Sequence, residues 1–243
     1  MRTLIRTELL KAGTVRWPWV LLVAQVGLVI LGVSGYAIAR GDQSIDAQTA
    51  LGHVGLTSLF TLVLGLMAMA GEFRDRTITD TFLVTPRRER VVAAKLVVYT
   101  ALGFVFAIVT AAVALAITAA WLSSRGSSLD AGSAVVWNTI VGAVLWDTGF
   151  AAIGVSLGAL VPNLTVAIVA GLAWIALVEG LVAQVIGSGL ARWLPMAAGQ
   201  ALEGLTVPGR DLLAPWAGGL VLVAYAVGLG LLAAFVTVRR DVT

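Results

Sequence analysis

Long apolar runs separated by short polar segments extend along the whole chain. An apolar helix of about 20 residues is long enough to cross a bilayer. Six runs reach this length, at residues 19–39, 51–70, 91–122, 134–161, 164–187 and 216–238. The third run exceeds one crossing, so its first turns, which carry Lys95, are expected to project from the membrane or to extend to its surface. The pattern predicts an all-α membrane protein with six transmembrane helices.

Two segments outside these runs also have apolar character. In residues 1–18, Leu4, Ile5 and Leu9 share one helical face and basic residues lie near another, which is typical of a helix lying in the membrane interface. Pro18 permits a turn into the first span, and the alternative is a merely basic tail. Residues 188–215 are too apolar for a solvated loop, so we expect a short helical hairpin that enters the outer leaflet, shielded by protein.

Composition and charge support this class and set an orientation. Of 243 residues, 59% are hydrophobic and 12% charged, too few polar residues to cover a soluble core. With the N-terminus inside, twelve basic residues lie in inner segments and four in outer ones, namely Arg40, Arg125, Arg192 and Arg210. This bias predicts that both termini are cytoplasmic. Arginine outnumbers lysine 14 to 2, which together with abundant alanine, valine and glycine suggests a high-GC bacterial genome and hence the bacterial plasma membrane.

Several kinds of chemistry have no sequence support. A phosphate-binding loop needs lysine followed by serine or threonine, whereas the two lysines here precede Ala12 and Leu96. With no cysteine and one histidine, no metal site or catalytic residue is predicted. Gly154-Val155-Ser156-Leu157-Gly158 has the spelling of a nucleophile elbow, but inside an apolar helix it predicts close helix packing instead. The basic residues lie at membrane boundaries, so nucleic acid is not expected as a partner.

Two acidic residues, Asp147 and Glu179, lie inside predicted spans without an arginine or lysine at the same depth. A charge there costs at least about 2.5–3.5 kcal/mol, so such side chains usually face the interior of the bundle or a wet cavity. They are candidates for a substrate path that favours polar or cationic cargo, or for proton coupling. The alternative is a structural carboxyl that is protonated or hydrogen-bonded.

The most charged part of the chain lies between the second and third runs. Residues 71–95 contain ten charged residues, yet Ile78, Phe82 and Leu83 recur at helical spacing. Thr77, Thr79 and Asp80 are residue types that cap helices, and Thr85-Pro86 is expected to end the helix. We therefore predict a short amphipathic helix in residues 71–90 that docks to a soluble partner. The alternative is a solvated basic loop.

This segment resembles the cytoplasmic loop of ABC type-2 exporter permeases. The resemblance is carried by Glu72-Phe73-Arg74-Asp75-Arg76-Thr77, by Leu83-Val84-Thr85-Pro86-Arg87-Arg88-Glu89-Arg90 and by Ala94-Lys95. The usual pattern is E-[FY]-R-x-G-T, then L-x-x-P, arginine and A-K, so Arg76 stands where glycine is common. The resemblance also covers the architecture: a single permease domain with an N-terminal elbow helix, six spans, a coupling helix between spans two and three, and an outer re-entrant hairpin between spans five and six.

The resemblance implies a function for the chain together with separate ATPase subunits. The chain would be one permease half, pairing with a second copy or a paralogue, and two ATPase subunits would bind the ATP and Mg²⁺ that this chain cannot use. Spans one and five would form the dimer interface and substrate path for an amphiphilic cargo such as a drug, a peptide antibiotic or a lipid-like molecule. The residues implied to couple the ATPase are Glu72, Arg74, Thr77, Ile78, Phe82, Leu83, Pro86, Arg87 and Arg88.

Two rival classes remain open at this point. One is a proton-coupled secondary transporter that uses Asp147 or Glu179, which would show inverted repeats and broken helices. The other is a membrane anchor or sensor subunit that transports nothing. Co-purification with an ATPase that has a phosphate-binding loop would separate the exporter subunit from both rivals.

Overall fold

The regular structure in a computed structural model of the chain is helical throughout the described residues, which are 1–85, 87–185 and 187–239; the side chains of 188 and 237–239 are not described. Twelve α-helices occur in this part of the chain: α1 (Arg2–Thr14), α2 (Trp17–Ala39), α3 (Ala47–Leu51), α4 (Ser58–Arg74), α5 (Ile78–Val84), α6 (Arg88–Ser124), α7 (Ala134–Leu160), α8 (Leu164–Ala173), α9 (Glu179–Val185), α10 (Ser188–Ala191), α11 (Pro195–Leu202) and α12 (Pro215–Arg239).

Six helical segments in the described part of the chain are long and apolar enough to cross a membrane. They are α2, α3 with α4, α6, α7, α8 with α9, and α12. The prediction of an all-α protein with six candidate spans is therefore confirmed. The six segments support a multi-pass membrane protein.

Two of the spans are interrupted, which the hydropathy pattern does not reveal. The second span begins at Ala47, earlier than predicted, and a 3-10 turn at Gly55–Thr57 separates α3 from α4. Asp46 caps α3 because its carboxylate accepts the Thr49 N–H at 2.9 Å. The fifth span contains a π-helical turn at Trp174–Val178 between α8 and α9. Both breaks lie beside buried acidic residues described below.

The closest helix packing in the bundle is between α4 and α7. A Cβ added to Gly65 would meet the Ala151 carbonyl oxygen, and one added to Gly154 would meet the Leu62 carbonyl oxygen at 2.2 Å. Gly158 lies against the Leu66 carbonyl in the same way. The backbones therefore touch where only glycine fits, as the packing interpretation of the Gly154–Gly158 motif predicts.

The burial of each span follows from this central pair. The most apolar windows of the fourth and second spans are 72% and 67% buried, whereas those of the first, fifth and sixth spans are 22%, 17% and 17% buried. The spans α2, α6 and α12 pack around α4 and α7, and their outer faces carry exposed apolar residues such as Val23, Leu31 and Leu231. Such outer faces suit a lipid environment.

Helix α11, which lies between the fifth and sixth spans in the chain, is packed inside the bundle. Gly199 of α11 lies flat against the indole of Trp146, where an added Cβ would meet ring atoms at 2.1–2.4 Å. Gly142 of α7 approaches the Leu202 carbonyl, and Gly218 of α12 approaches the Ala198 carbonyl. Small residues thus let α11 fit between α7 and α12.

We expect Gly154→Ala to destabilise the protein because the new methyl group collides with the backbone of α4. The apparent melting temperature in detergent should fall by about 5 °C, as for an overpacked core. Gly149→Ala on the same helix is the matched control, since its Cβ would meet only Leu222 side-chain atoms at 3.7 Å or more. Equal melting temperatures for the two variants would contradict the close contact.

Candidate functional site

The charged end of the bundle contains a buried ion-pair network that joins three helices. Lys95 of α6 is 1% exposed. Its ammonium donates to Glu8 Oε2 at 2.8 Å, to Glu72 Oε1 at 2.8 Å and to the Ala68 carbonyl at 3.0 Å. All three donors of the ammonium are therefore satisfied. Two carboxylates of the same chain thus neutralise Lys95 inside the protein, and the projection of the first turns of α6 from the membrane stays a prediction.

Lys11 completes the network from the first helix. Its ammonium lies 2.7 Å from Glu72 Oε1 and 3.1 Å from Glu8 Oε1, so two lysines balance two glutamates. Burial alone would lower the pKa of Lys11, but the hydrogen bond and charge of Glu72, with those of Glu8, raise the pKa above its ordinary value. The network fastens α1 to the end of α4 and the beginning of α6.

This geometry changes the role expected for Glu72. The resemblance assigns it to ATPase coupling, yet one of its carboxylate oxygens is bound by two lysines of this chain. Glu72 thus holds the end of α4 against α1 and α6, and its assignment to ATPase coupling stays a prediction. Glu8 was missed in the sequence, because it is a single acidic residue in a basic segment; its spacing of three from Lys11 is the one available signal.

A tight turn connects the network to α5. The Thr77 N–H donates to the Glu72 carbonyl at 3.0 Å and the Arg76 N–H to the Phe73 carbonyl at 3.3 Å, which is the Schellman pattern of a helix C-terminus. Arg76 has a φ of 57°, in the left-handed region that favours glycine. The turn therefore has the backbone that glycine adopts easily, although arginine occupies the position. Thr77 precedes α5 without a side-chain capping bond, so the predicted threonine cap is not formed there.

The two faces of α5 differ in what they contact. Ile78 and Phe82 are buried in a cluster with Met69, Val91 and Val92. Their burial does not support a docking role for these two side chains, which hold α5 against α4 and α6 instead.

The exposed face of α5 carries the apolar residues available to a partner. Leu83 is 76% exposed and Val84 is 85% exposed. Four arginines around α5 are also exposed, namely Arg74, Arg76, Arg87 and Arg90, and Arg74 pairs with Asp75 at 2.8 Å. Arg88 lies partly buried, with its guanidinium carbon 5.0 Å from the centre of the Phe82 ring. Pro86, which was also assigned to coupling, lies outside the described residues.

Asp147 lies fully buried in the middle of α7, inside a polar cluster. Its Oδ2 accepts from Gln25 Nε2 at 2.9 Å and from Thr57 Oγ1 at 3.0 Å, and Gln25 also donates to Thr57 at 3.0 Å. The 3-10 turn positions Thr57, and α2 supplies Gln25. The carboxyl thus ties the first, second and fourth spans together, which is a hydrogen-bonded structural arrangement of the kind left open above.

A further buried acid, Glu203, follows α11 and was missed in the sequence analysis. It accepts the Gly55 N–H at 3.0 Å, and Thr139 donates to its main-chain carbonyl at 3.2 Å. Burial, together with the charge of Asp147, raises the pKa of Glu203 well above its ordinary value. Glu203 lies outside the predicted spans, so the search for acids inside apolar runs could not find it.

Glu179, the second candidate for the substrate path, binds a different element. Both of its carboxylate oxygens accept the Met196 N–H, at 3.2 and 3.0 Å. The carboxylate therefore sits at the N-terminus of α11, where unpaired N–H groups favour negative charge. Asp147 and Glu179 thus contact different elements and do not form one site in the described contacts.

We expect Lys95→Met to destabilise the protein strongly, because it leaves two buried carboxylates with one lysine. Removing one member of a buried ion pair costs about 3–5 kcal/mol, so the apparent melting temperature should fall by roughly 10 °C. Arg74→Gln, which breaks an exposed pair, is the control and should leave the melting temperature unchanged. Similar behaviour of the two variants would exclude a buried network.

Comparison with known proteins adds no family to this picture. No protein-family model matches the chain, and no curated protein matches it at a significant level.

Proposed function

We propose that this chain is the membrane-spanning permease subunit of an ATP-binding-cassette exporter that moves an amphiphilic substrate out across the bacterial plasma membrane. Separate ATPase subunits bind ATP and Mg²⁺ and supply the energy. Two copies of the chain, or the chain and a paralogue, form the full pathway. Both termini lie in the cytoplasm in this arrangement, at the same side as the charged end of the bundle.

The observation that carries the proposal is that α5 has one face buried against the bundle and another face that is exposed and partly apolar. One face is buried against α4 and α6 through Ile78 and Phe82, and the other exposes Leu83 and Val84 among arginines. An exposed apolar pair at the charged end of a membrane protein is unfavourable in water and suits an apolar cleft of a soluble partner. A basic loop that is merely solvated would require neither a buried apolar face nor an exposed apolar pair.

The connection of α5 to the spans suits a coupling helix. The Schellman turn joins α5 to α4, and Phe82 and Arg88 join it to the start of α6. A displacement of α5 by closing ATPase subunits would therefore move the second and third spans together. Because the Lys95 network ties α1 to the same two helices, the elbow helix would follow the motion.

The placement of α11 supports the proposed re-entrant hairpin. Trp146 stands 12 residues after the start of α7, which is about 18 Å along the helix axis. Since the hydrocarbon core is about 30 Å thick, contact with Trp146 brings α11 close to the middle of the membrane. Its backbone groups there are enclosed by α7, α12 and the carboxylate of Glu179.

We expect Leu83→Asp to abolish complex formation with the ATPase while leaving the fold intact. Burying the new carboxylate in an apolar cleft of the ATPase would cost at least about 2 kcal/mol of binding free energy. The measurement is retention of a co-expressed ATPase with a phosphate-binding loop from the source organism, together with substrate-stimulated ATP hydrolysis. Ser128→Asp, which introduces the same charge at an exposed position beyond the far end of α6, is the control and should retain the ATPase.

Phe82→Asp serves as a second control, on α5 itself. Its side chain is buried within the chain, so this variant should lower the melting temperature, which Leu83→Asp should not. If Leu83→Asp keeps the ATPase and full activity, α5 is not the coupling helix. ATP hydrolysis by the purified chain alone, after removal of contaminants, would contradict the subunit function itself.

A proton-coupled secondary transporter is the second candidate, favoured by the fully buried Asp147, whose Oδ1 atom has no hydrogen-bond partner among the described residues. We expect Asp147→Asn and Glu179→Gln to keep at least part of the ATP-driven transport, because an amide preserves most hydrogen bonds of each site without an intramembrane charge. Uptake into inside-out vesicles with and without a proton gradient decides between the two candidates. Transport that follows the gradient, ignores ATP and is lost in either variant would identify the secondary transporter.

A further inference from the structure

An apolar slot on the side of the bundle lies next to a cavity with polar walls. The slot has a volume of about 350 Å³ and lies between α4, α7, the fifth span and α12. Phe150, Ile153, Trp174, Tyr225 and Leu229 are among its lining residues. Trp174 is 47% exposed, so the slot is open to the surroundings of the bundle, where lipid chains lie.

The polar cavity adjoins the slot. It has a volume of about 200 Å³ and shares Ile175 with the slot. The π-helical turn at Trp174–Val178 lies at this junction and continues directly into Glu179. π-Helical turns inside α-helices occur frequently at functional sites, and this one adjoins both cavities.

The charges of the polar cavity are balanced. Two arginines, Arg192 and Arg210, and two acids, Glu179 and Asp211, line it. A cavity for a purely anionic or purely cationic group would carry an excess of one sign. Opposite charges around one cavity instead match a group that carries both.

Two residues that line this cavity each have a buried polar atom with unused hydrogen-bonding capacity. In the part of the chain that the structure describes, the Nε of Arg192 donates to no acceptor and the Oε1 of Gln200 accepts from no donor. A buried unpaired polar atom costs about 1–3 kcal/mol, so each calls for a partner. The missing partner of Arg192 is an acceptor such as a phosphate oxygen, and that of Gln200 is a donor such as an ammonium group.

We propose that the slot and the polar cavity together bind one membrane phospholipid with a zwitterionic headgroup. An acyl chain occupies the slot, the phosphate contacts Arg192, and the ammonium group lies towards Gln200 and the acids. The size and make-up of the slot and cavity are typical of small-molecule sites, which are mostly apolar with a few polar groups that fix orientation. This binding does not depend on coupling to an ATPase, so it stands or fails separately from the exporter function.

The test is native mass spectrometry of the purified, delipidated chain after addition of one lipid at a time. The three probes have the same acyl chains: phosphatidylethanolamine, phosphatidylglycerol and diacylglycerol. We expect phosphatidylethanolamine to be retained most strongly. Arg192→Gln should weaken its retention about tenfold, the effect of one lost charge-assisted hydrogen bond. Arg90→Gln, at the charged end of the bundle, should not weaken it.

The slot is tested by a pair of substitutions on α8. Ala170→Phe fills the slot and should reduce retention of phosphatidylethanolamine, whereas Val169→Phe, on an exposed neighbouring position outside the slot, should not. If Ala170→Phe does not fold, brominated acyl chains decide instead: brominated phosphatidylethanolamine should quench the fluorescence of the wild type more than brominated phosphatidylglycerol does, and Arg192→Gln should remove this difference. Equal retention of all three lipids, or unchanged retention by Arg192→Gln, would overturn the proposal and leave only non-specific surface lipid.

Discussion

The contact between α4 and α7 is the one on which the other helices depend. In a bilayer, lipid chains are as apolar as the helix surfaces, so burial of apolar area does little to bring helices together. Close backbone approach through Gly65, Gly154 and Gly158 provides dispersion contacts that lipid cannot match. Since α6, α12 and α11 all pack against α7, its position relative to α4 sets the geometry of the whole bundle.

Polar contacts then fix the positions of the other helices, α1, α2 and α11, relative to the closely packed pair of α4 and α7. The Asp147 cluster ties α2 and the 3-10 turn to α7, the Glu179 carboxylate holds the start of α11, and the Lys95 network holds α1. Each cluster joins elements that are distant in sequence, so each specifies a tertiary arrangement rather than a local one. Polar atoms left without partners inside the protein are costly, and this cost discourages alternative arrangements.

The sequence predicts elements of this structure better than it predicts contacts. Run length identifies the six spans because the bilayer imposes a minimum number of apolar residues. The direction of a side chain is harder to predict when all sides of a helix are apolar. Apolar character alone likewise does not distinguish Phe82, which is buried within the chain, from Leu83, which is exposed. Gln25 and Thr57 were overlooked since neutral polar residues barely change the hydropathy of a span.

The candidate sites divide along the same line. Asp147 and Glu179 were found because ionisable residues are conspicuous in apolar runs. Glu203 lies between two such runs, where an acidic residue is ordinary and does not indicate burial. The unusual residue at position 76 was visible in the sequence, but only the backbone gives its meaning: the left-handed turn is kept with arginine in place of glycine. A position that differs from a motif in residue type, such as Arg76, can therefore still adopt the backbone conformation that glycine favours.

The order of residues in the Lys95 network has a consequence for how the protein is made. Glu8, Lys11 and Glu72 all precede Lys95 in the chain, so they leave the ribosome first. When α6 is delivered to the membrane, the carboxylates that neutralise its lysine have already been synthesised. The counter-ions of Lys95 are therefore available as soon as α6 enters the membrane. The order of synthesis thus spares the chain an intermediate in which this lysine is in the membrane without a carboxylate.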